Sequence, residues 1–318
     1  MVSPDGPDPV DPGPDNIGKV ALIVGPTASG KSALALELAK KQPSIIINAD
    51  SAQVYADLQI LSARPTADEM GDIPHSLYGY IDGAEACSAA RWAADAKAEI
   101  REAHAAGRMP ILVGGTGLYV RTLLDGIAPI PEIDPKIRHE IRNMDTMDAY
   151  DTLQAEDEVS ADRLNPRDSS RIKRALEVVR STGHALDHWH RHLEGGIADQ
   201  IQLKPLVLLP DRDWLYERCD LRFEQMWDDG AVTEVQNLLQ RNLPEDCPVM
   251  RAIGVPEIRQ FLDGHMTREE AIAEACTATR RYAKRQYTWF RNQTPDDWPR
   301  WKSNISSANI NDIVSLLQ

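Results

Sequence analysis

Cysteine is scarce and never falls at metal-ligand spacing: Cys87, Cys219, Cys247 and Cys276 are far apart and form no CxxC pair. That excludes a zinc module or a disulfide scaffold and fits a reducing cytoplasm. Long apolar runs are missing too, so nothing is long enough to cross a bilayer and a soluble protein with no membrane association is expected. Residues 1–16 hold five prolines and four aspartates, lack the charged-then-apolar layout of a signal peptide, and are expected to form a disordered tail. Basic residues are in the minority, with 35 Lys and Arg against 49 Asp and Glu and a net charge of −14. This excludes a protein that coats nucleic acid over its whole surface, while leaving room for a local basic face. There is no internal repeat, and 318 residues suggest about two domains.

What is present is concentrated in one segment. Gly25-Pro26-Thr27-Ala28-Ser29-Gly30-Lys31-Ser32 follows the apolar run Val20–Val24 and precedes the amphipathic stretch Ala33–Lys40. This is a phosphate-binding loop in the strand-loop-helix setting it requires. Glycines at 25 and 30 let backbone N–H groups turn onto a polyphosphate, the helix N-terminus adds a favourable dipole, Lys31 supplies a point charge, and Ser32 can hold Mg²⁺. A diphosphate or triphosphate ligand follows.

Further along, Ser44–Ala49 is a β-branched run suited to a buried parallel strand, with Asp50 at its end. Ser88–Ala106 repeats apolar residues at helical spacing, capped by Ser88 and closed by Gly107. Met109–Val113 reads as a strand, Gly114–Tyr119 as a flexible ligand-approaching loop, and Gln202–Leu209 as a late strand. The predicted fold is an α/β P-loop NTPase-like core, a parallel sheet flanked by helices, plus a mostly helical insertion. Its parts are a tail over 1–18, the core's first part over 19–128, the insertion over 129–200, the core's second part with a basic-aromatic helical region over 201–303, and a C-terminal tail over 304–318.

No acid ends the strand Ile111–Val113, which runs into Gly114-Gly115-Thr116, so a motor-type or switch-type NTPase loses weight. The acid lies instead at Asp50, where it could face an acceptor approaching the phosphates or simply cap the turn into the next helix. Two basic groups stand out. Lys136, Arg138, Arg142, Arg163, Arg167, Arg171, Lys173 and Arg174 lie in the insertion among nine acids between 136 and 174, as a binding face or an ordinary solvated one. Arg280–Arg291 interleaves cations with Tyr282, Tyr287, Trp289 and Phe290, which suits phosphate neutralisation with base stacking and equally suits an amphipathic helix packing its rings inward.

Taken in order, these motifs resemble the tRNA dimethylallyltransferases, or tRNA isopentenyltransferases, of bacterial type. The likeness rests on Gly25–Ser32, Asp50-Ser51 with Gln53-Val54-Tyr55, Ala63–Thr66, Val113–Tyr119, Asp168 with Arg171–Val178, Arg251–Gly254 and Thr279–Trp289. It implies transfer of the dimethylallyl group of dimethylallyl diphosphate to N6 of the adenosine just 3′ of the anticodon (position 37) in tRNAs reading codons that start with U, with diphosphate leaving and Mg²⁺ as cofactor. By this resemblance Asp50 orients the adenine amine and accepts its proton, while Thr27, Lys31 and the loop amides stabilise the leaving charge. Arg222 is a further diphosphate contact or a helix-surface arginine. Asp50, Ser51, Ala52, Gln53, Thr116, Arg138, Ser170, Arg171, Ile172, Lys173, Arg174, Arg251, Ala252, Ile253, Gly254, Val255 and Pro256 match positions that meet tRNA, through its anticodon stem-loop, and a monomer is expected. Two departures, His75-Ser76 for a His pair and Gly254-Val255 for Gly-Tyr, fall off the proposed chemistry. Rivals are a small-molecule or nucleoside kinase with Asp50 as base, a non-catalytic RNA-binding NTPase, and a prenyltransferase acting on free adenylate. ATP consumption without tRNA, full activity of Asp50→Ala, or a soluble cytokinin-like product would favour each in turn.

Overall fold

The strands are β1 (Lys19–Val24), β2 (Ser44–Asn48), β3 (His75–Ser76), β4 (Met109–Gly114), β5 (Gly126–Ile127), β6 (Glu194–Gly195), β7 (Gln202–Leu208) and β8 (Arg300–Trp301). The computed structural model describes residues 18–317, so all but Gly18 of the expected disordered tail lies outside the described residues. Six strands form one parallel sheet in the order β3-β2-β4-β1-β7-β8. Burial on both faces explains the continuous apolar runs: Val20 to Val24 and Ile111 to Val113 are all at most 3% exposed. Because β4 pairs with both β1 and β2 in parallel register, the loops that follow Val24, Asn48 and Gly114 emerge at one edge. That edge is where an open α/β sheet gathers its ligands.

Contacts within the chain divide it into two units, Leu124–Ile197 and the remainder. In the α/β unit, α1 (Lys31–Ala39), α2 (Ala67–Met70), α3 (Ala89–Ala105) and the start of α4 (Gly117–Asp125) belong to the first chain segment. Helix α3 begins at Ser88, whose hydroxyl accepts from the Arg91 N–H as an N-cap should. Gly117-Leu118-Tyr119, expected as loop, is instead the first turn of α4, because Thr116 O can accept from the Tyr119 and Val120 N–H groups.

The helical unit carries α5 (Pro135–Asn143), α6 (Thr146–Glu156), α7 (Glu158–Arg163), α8 (Ser169–Thr182) and α9 (Leu186–His190), with the antiparallel β5–β6 pair at its base. Aspartates 134, 145, 157 and 168 cap the first four of these helices. Its own small core consists of Ile141, Ala149, Leu153, Ala161, Ile172, Ala175 and Leu176.

After β7 come α10 (Arg212–Met226), α11 (Val232–Gln240), α12 (Val255–Leu262), α13 (Arg268–Gln293) and α14 (Ile310–Ser315). Residues 304–318, expected as a tail, are corrected by the last of these. Ile310, Ile313, Val314 and Leu317 recur at helical spacing, and Ile313, Val314 and Leu317 are buried with α1 in the sheet's core. Three buried aliphatic side chains contribute about 1.5–3 kcal/mol each, which anchors even a six-residue helix.

Candidate active site

The phosphate loop is built where β1 ends. Gly30, at φ 93°, sits in the left-handed region, where glycine avoids the Cβ clash, and it turns the chain into α1. Inside the loop the Ser29 hydroxyl is 1% exposed and has no hydrogen-bond partner, an orphaned polar group of the kind a phosphate oxygen would satisfy. Lys31 Nζ donates to Pro26 O at 2.6 Å. Burial lowers its pKa to about 8, with Asp50 opposing that shift and Arg222 reinforcing it.

Two arginines reach the loop from α10. Arg218 Nε donates to Ala28 O at 3.0 Å, and Arg222 Nη2 donates to the Thr27 hydroxyl. Arg222 is therefore no surface arginine, and burial lowers its pKa. The α10 and α13 helices pack Leu215, Cys219 and Ala283 over Ala28, and Arg280 Nη1 binds both carboxylate oxygens of Asp220 at 2.7 and 2.6 Å.

The second wall is the end of β2. Asn48 is fully buried: its Nδ2 donates to Asp50 O and Leu77 O, and its Oδ1 accepts from the Asp50 N–H. Trp92 Nε1 donates to Asn48 O at 2.8 Å, and its ring stacks on Tyr119 with centroids 4.7 Å apart. Asp50 Oδ1 accepts from the Ala52 N–H at 3.0 Å, so the capping role is real, and it occupies only one oxygen. A methyl at Gly115 would lie 3.1 Å from Oδ2, which places that oxygen against the Gly114–Thr116 loop. The Asp50 charge acts on Lys31 and Arg222, and after burial it also helps raise the pKa values of the Tyr78 and Tyr282 phenols.

The third wall follows β4. Gly114 lies so close to Ala49 that any side chain would strike its carbonyl, which is why the strand ends in glycine. Thr116 Oγ1 accepts from the Ser51 N–H at 2.9 Å and donates to Ser51 Oγ at 3.1 Å, tying this loop to the one that carries Asp50. From mid-α13, Gln286 accepts from the Thr27 N–H at 2.8 Å and donates to Gly115 O at 2.9 Å. Gln286 is hidden in the run Arg280–Arg291, and only its place between cationic and aromatic neighbours on a helix with a buried stripe hints at it. The cradle thus offers loop amides, an ammonium and a guanidinium for a diphosphate, with one carboxylate on the far side.

A model described as IPP transferase matches residues 53–293, and one described as isopentenyl transferase matches residues 18–80. This chain belongs to the IPP transferase family. It is 58% identical over 300 residues to the tRNA dimethylallyltransferase of Sphingopyxis alaskensis, covering 94% of this chain and 98% of the relative. The tRNA isopentenylpyrophosphate transferase of Bacillus halodurans is similar with a TM-score of 0.68 at 35% identity, over 93% of this chain and 94% of that one. A eukaryotic dimethylallyltransferase acting on tRNA reaches 0.79 at 29% identity, over 94% and 80% of the two chains.

Within this IPP transferase the remaining expected residues fall into distinct settings. Gln53 Nε2 donates to Ser62 O and Ala63 O, so it braces the loop after Ala52. That loop is held from α11 by Glu234, whose carboxylate accepts from the Gln59, Ile60 and Leu61 N–H groups at 2.6–2.9 Å, a role not legible in the sequence. Arg251 donates to Glu245 O and Asp246 O and, with Val255 and Pro256, lines a cavity of about 410 Å³. Ala252 and Ile253 are half-buried beside it, and Gly254 N–H donates to Glu257 at the start of α12.

In the helical unit, Arg138 has a buried Nε without a partner, while Ser170 and Arg171 are exposed on the first turn of α8. Lys173 Nζ donates to Arg142 O and Met144 O, closing the end of α5, and Arg174 contacts Glu177. Ile172 corrects the expectation for its position. It is 0% exposed in the helical core and offers no side-chain surface to a ligand, as its place on the apolar stripe of α8 requires.

Proposed function

We propose that this chain transfers the dimethylallyl group of dimethylallyl diphosphate to N6 of adenosine 37, beside the anticodon, in tRNAs reading codons that start with U. The observation that carries this reading is the Asp50 carboxylate, with Oδ2 free of the turn, facing a phosphate cradle in a chain whose relatives are named tRNA dimethylallyltransferases.

The N6 lone pair is delocalised into the ring, so orientation matters more than bulk basicity. Asp50 aligns the amine and takes its proton as the N6–C1 bond forms and the C1–O bond breaks. The Thr27 hydroxyl, Lys31, Arg222 and the N–H groups of Ala28–Ser32 stabilise the charge gathering on the departing diphosphate. Among the described residues no group of His, Cys, Asp and Glu could hold a metal by itself. That suits Mg²⁺, which prefers substrate phosphates and waters with few protein ligands, and Ser32, exposed on the first turn of α1, is the hydroxyl that would hold it. When bound, the ion neutralises leaving-group charge.

Adenosine 37 must leave its stack to reach Asp50, and the loop Asp50–Gln53 with Thr116 would meet it. Arg138, Ser170, Arg171, Lys173, Arg174 and the segment 251–256 would meet the rest of the anticodon stem-loop, with the protein acting as a monomer in the cytoplasm.

The test is transfer of labelled dimethylallyl diphosphate to unmodified tRNA with Mg²⁺, with ATP in parallel. Label is expected on adenosine 37, and Asp50→Ala is expected to lower turnover by about 10³-fold, within the range for loss of a positioned base. ATP consumed with tRNA left unlabelled would instead mean a kinase.

A further inference from the structure

The donor cradle and the acceptor wall come from different strands, β1 and β2, separated in the sheet by β4. Their spacing fixes how far the allylic carbon stands from N6. One buried side chain ties the donor loop to the loop after β4 that borders the acceptor wall: Gln286, 5% exposed on α13, accepts from the Thr27 N–H and donates to the Gly115 carbonyl. Its orientation is fixed by chemistry, since an N–H can only donate and a carbonyl can only accept. A methyl at Gly115 would collide with Gln286 Nε2 and stand 3.1 Å from Asp50 Oδ2, so the amide, the glycine and the base carboxylate meet at one point. From there the path runs through Thr116, which donates to Ser51 Oγ and accepts from the Ser51 N–H next to Asp50.

We propose that Gln286 is a positioning residue that sets the distance between the leaving-group cradle and the Asp50 carboxylate. This rests on the prenyl-transfer reading above. It touches neither substrate and acts through Thr27 and Gly115. A glutamine satisfies both loops at once and no other residue of its length does. Glutamate keeps the acceptor for Thr27 and sets a carboxylate against the Gly115 carbonyl, whereas methionine fills the space and makes neither bond.

The experiment measures kcat and both KM values for wild type, Gln286→Glu and Gln286→Met, counting competent enzyme by single-turnover amplitude so that unfolded molecules do not dilute the rates. Both variants are expected to lose about 10- to 100-fold in kcat per competent site, as for a misplacement near 1 Å, with KM for dimethylallyl diphosphate and for tRNA within about threefold of wild type. Lower amplitude or melting temperature with kcat per competent site unchanged would make Gln286 only a core residue and overturn the proposal. A raised KM at unchanged kcat would make it a binding contact and overturn the proposal equally. Gln286→Glu, equal in volume to the native side chain, carries the test if the methionine variant does not fold. Wild type that fails to label tRNA marks failure of the prenyl-transfer reading, whereas wild type that labels tRNA beside variants of full kcat marks failure of this proposal alone.

Discussion

The cations at the phosphate loop and those of the helical unit are held in opposite ways. Lys31 and Arg222 sit at the phosphate loop, burial depresses both pKa values, and neither forms an ion pair among the described residues. The helical unit instead pairs arginines with acids, several of them at the surface. Arg171, 77% exposed, pairs with Asp168, Arg163 with Asp187, Arg180 with Glu140 and Glu156, and Arg142 and Arg174 share Glu177. Buried charge without a contacting counter-ion raises the energy of the fold and is recovered when an anion binds, so the first arrangement marks a ligand site. Exposed pairs such as Arg163 with Asp187 and Arg171 with Asp168 are worth about 0–1 kcal/mol each and can be exchanged for RNA phosphates at little cost, whereas buried Glu177 would be left unpaired. Net charge of −14 hides both arrangements.

The sharpest break in this contrast is Arg222→Met. It removes a donor aimed at Thr27 and the charge that the proposed reaction sets against the leaving diphosphate, and kcat should fall about 10²-fold, in the range for loss of one preorganised donor. Stability should hold or rise, because an apolar side chain replaces a desolvated cation. A melting temperature that falls in step with activity would show Arg222 to be structural and erase the distinction between the two regions.

The same contrast explains what can be read in the sequence. Gly25–Ser32 is a local motif whose glycines, lysine and serine act through adjacent backbone, so the cradle is legible without tertiary information, as are Asp50 and the strands flanking both. Gln286 and Glu234 are not, because each is defined by backbone groups 171 to 259 residues and 173 to 175 residues away, and a lone Gln or Glu on a helix carries no local pattern. The short strands β3 and β8 escape detection for a related reason. Two residues make no periodicity, and both are recruited by neighbours already in the sheet, β2 and β7. Ile172 misleads because a family motif names contiguous positions, whereas a helix turns every fourth residue inward.

The pH dependence comes next in size. Burial takes the Lys31 ammonium from 10.5 to about 8, so as pH rises through about 8 the unliganded cradle loses that one charge and keeps the Arg222 guanidinium, while a free lysine would stay charged. KM for dimethylallyl diphosphate should climb about tenfold per unit above that point, with kcat at saturation little changed because bound diphosphate holds the proton in place. Stability moves the other way. A cation whose folded pKa is depressed weakens the fold in full below pH 8, and the penalty fades between about 8 and 10.5 as the unfolded chain alone stays protonated. A flat KM from pH 7 to 9.5 would mean that Lys31 keeps its charge without ligand, and the phosphate loop would then hold its cations no differently from the helical unit.

The smallest effect belongs to the helical unit and separates two neighbouring cations of α8. Arg171, exposed and weakly paired at 3.5 Å, is free to exchange Asp168 for a tRNA phosphate, so Arg171→Ala should weaken tRNA binding by about 1 kcal/mol and reduce the slope of log K against log salt by about 1. Lys173 donates to the carbonyls of Arg142 and Met144, and withdrawing it would leave the end of α5 unsatisfied. Lys173→Met should therefore cost about 1 kcal/mol of stability and, because its ammonium is already held by backbone carbonyls, lower the salt slope by less than Arg171→Ala does. The two variants test the comparison at its finest grain, because both remove one positive charge from the same helix. Equal loss of salt slope in both would show that charge alone matters there, and that the hydrogen bonds of Lys173 give way when RNA arrives. Unequal loss would show that the helical unit, like the α/β unit, sorts its cations by what the backbone already asks of them.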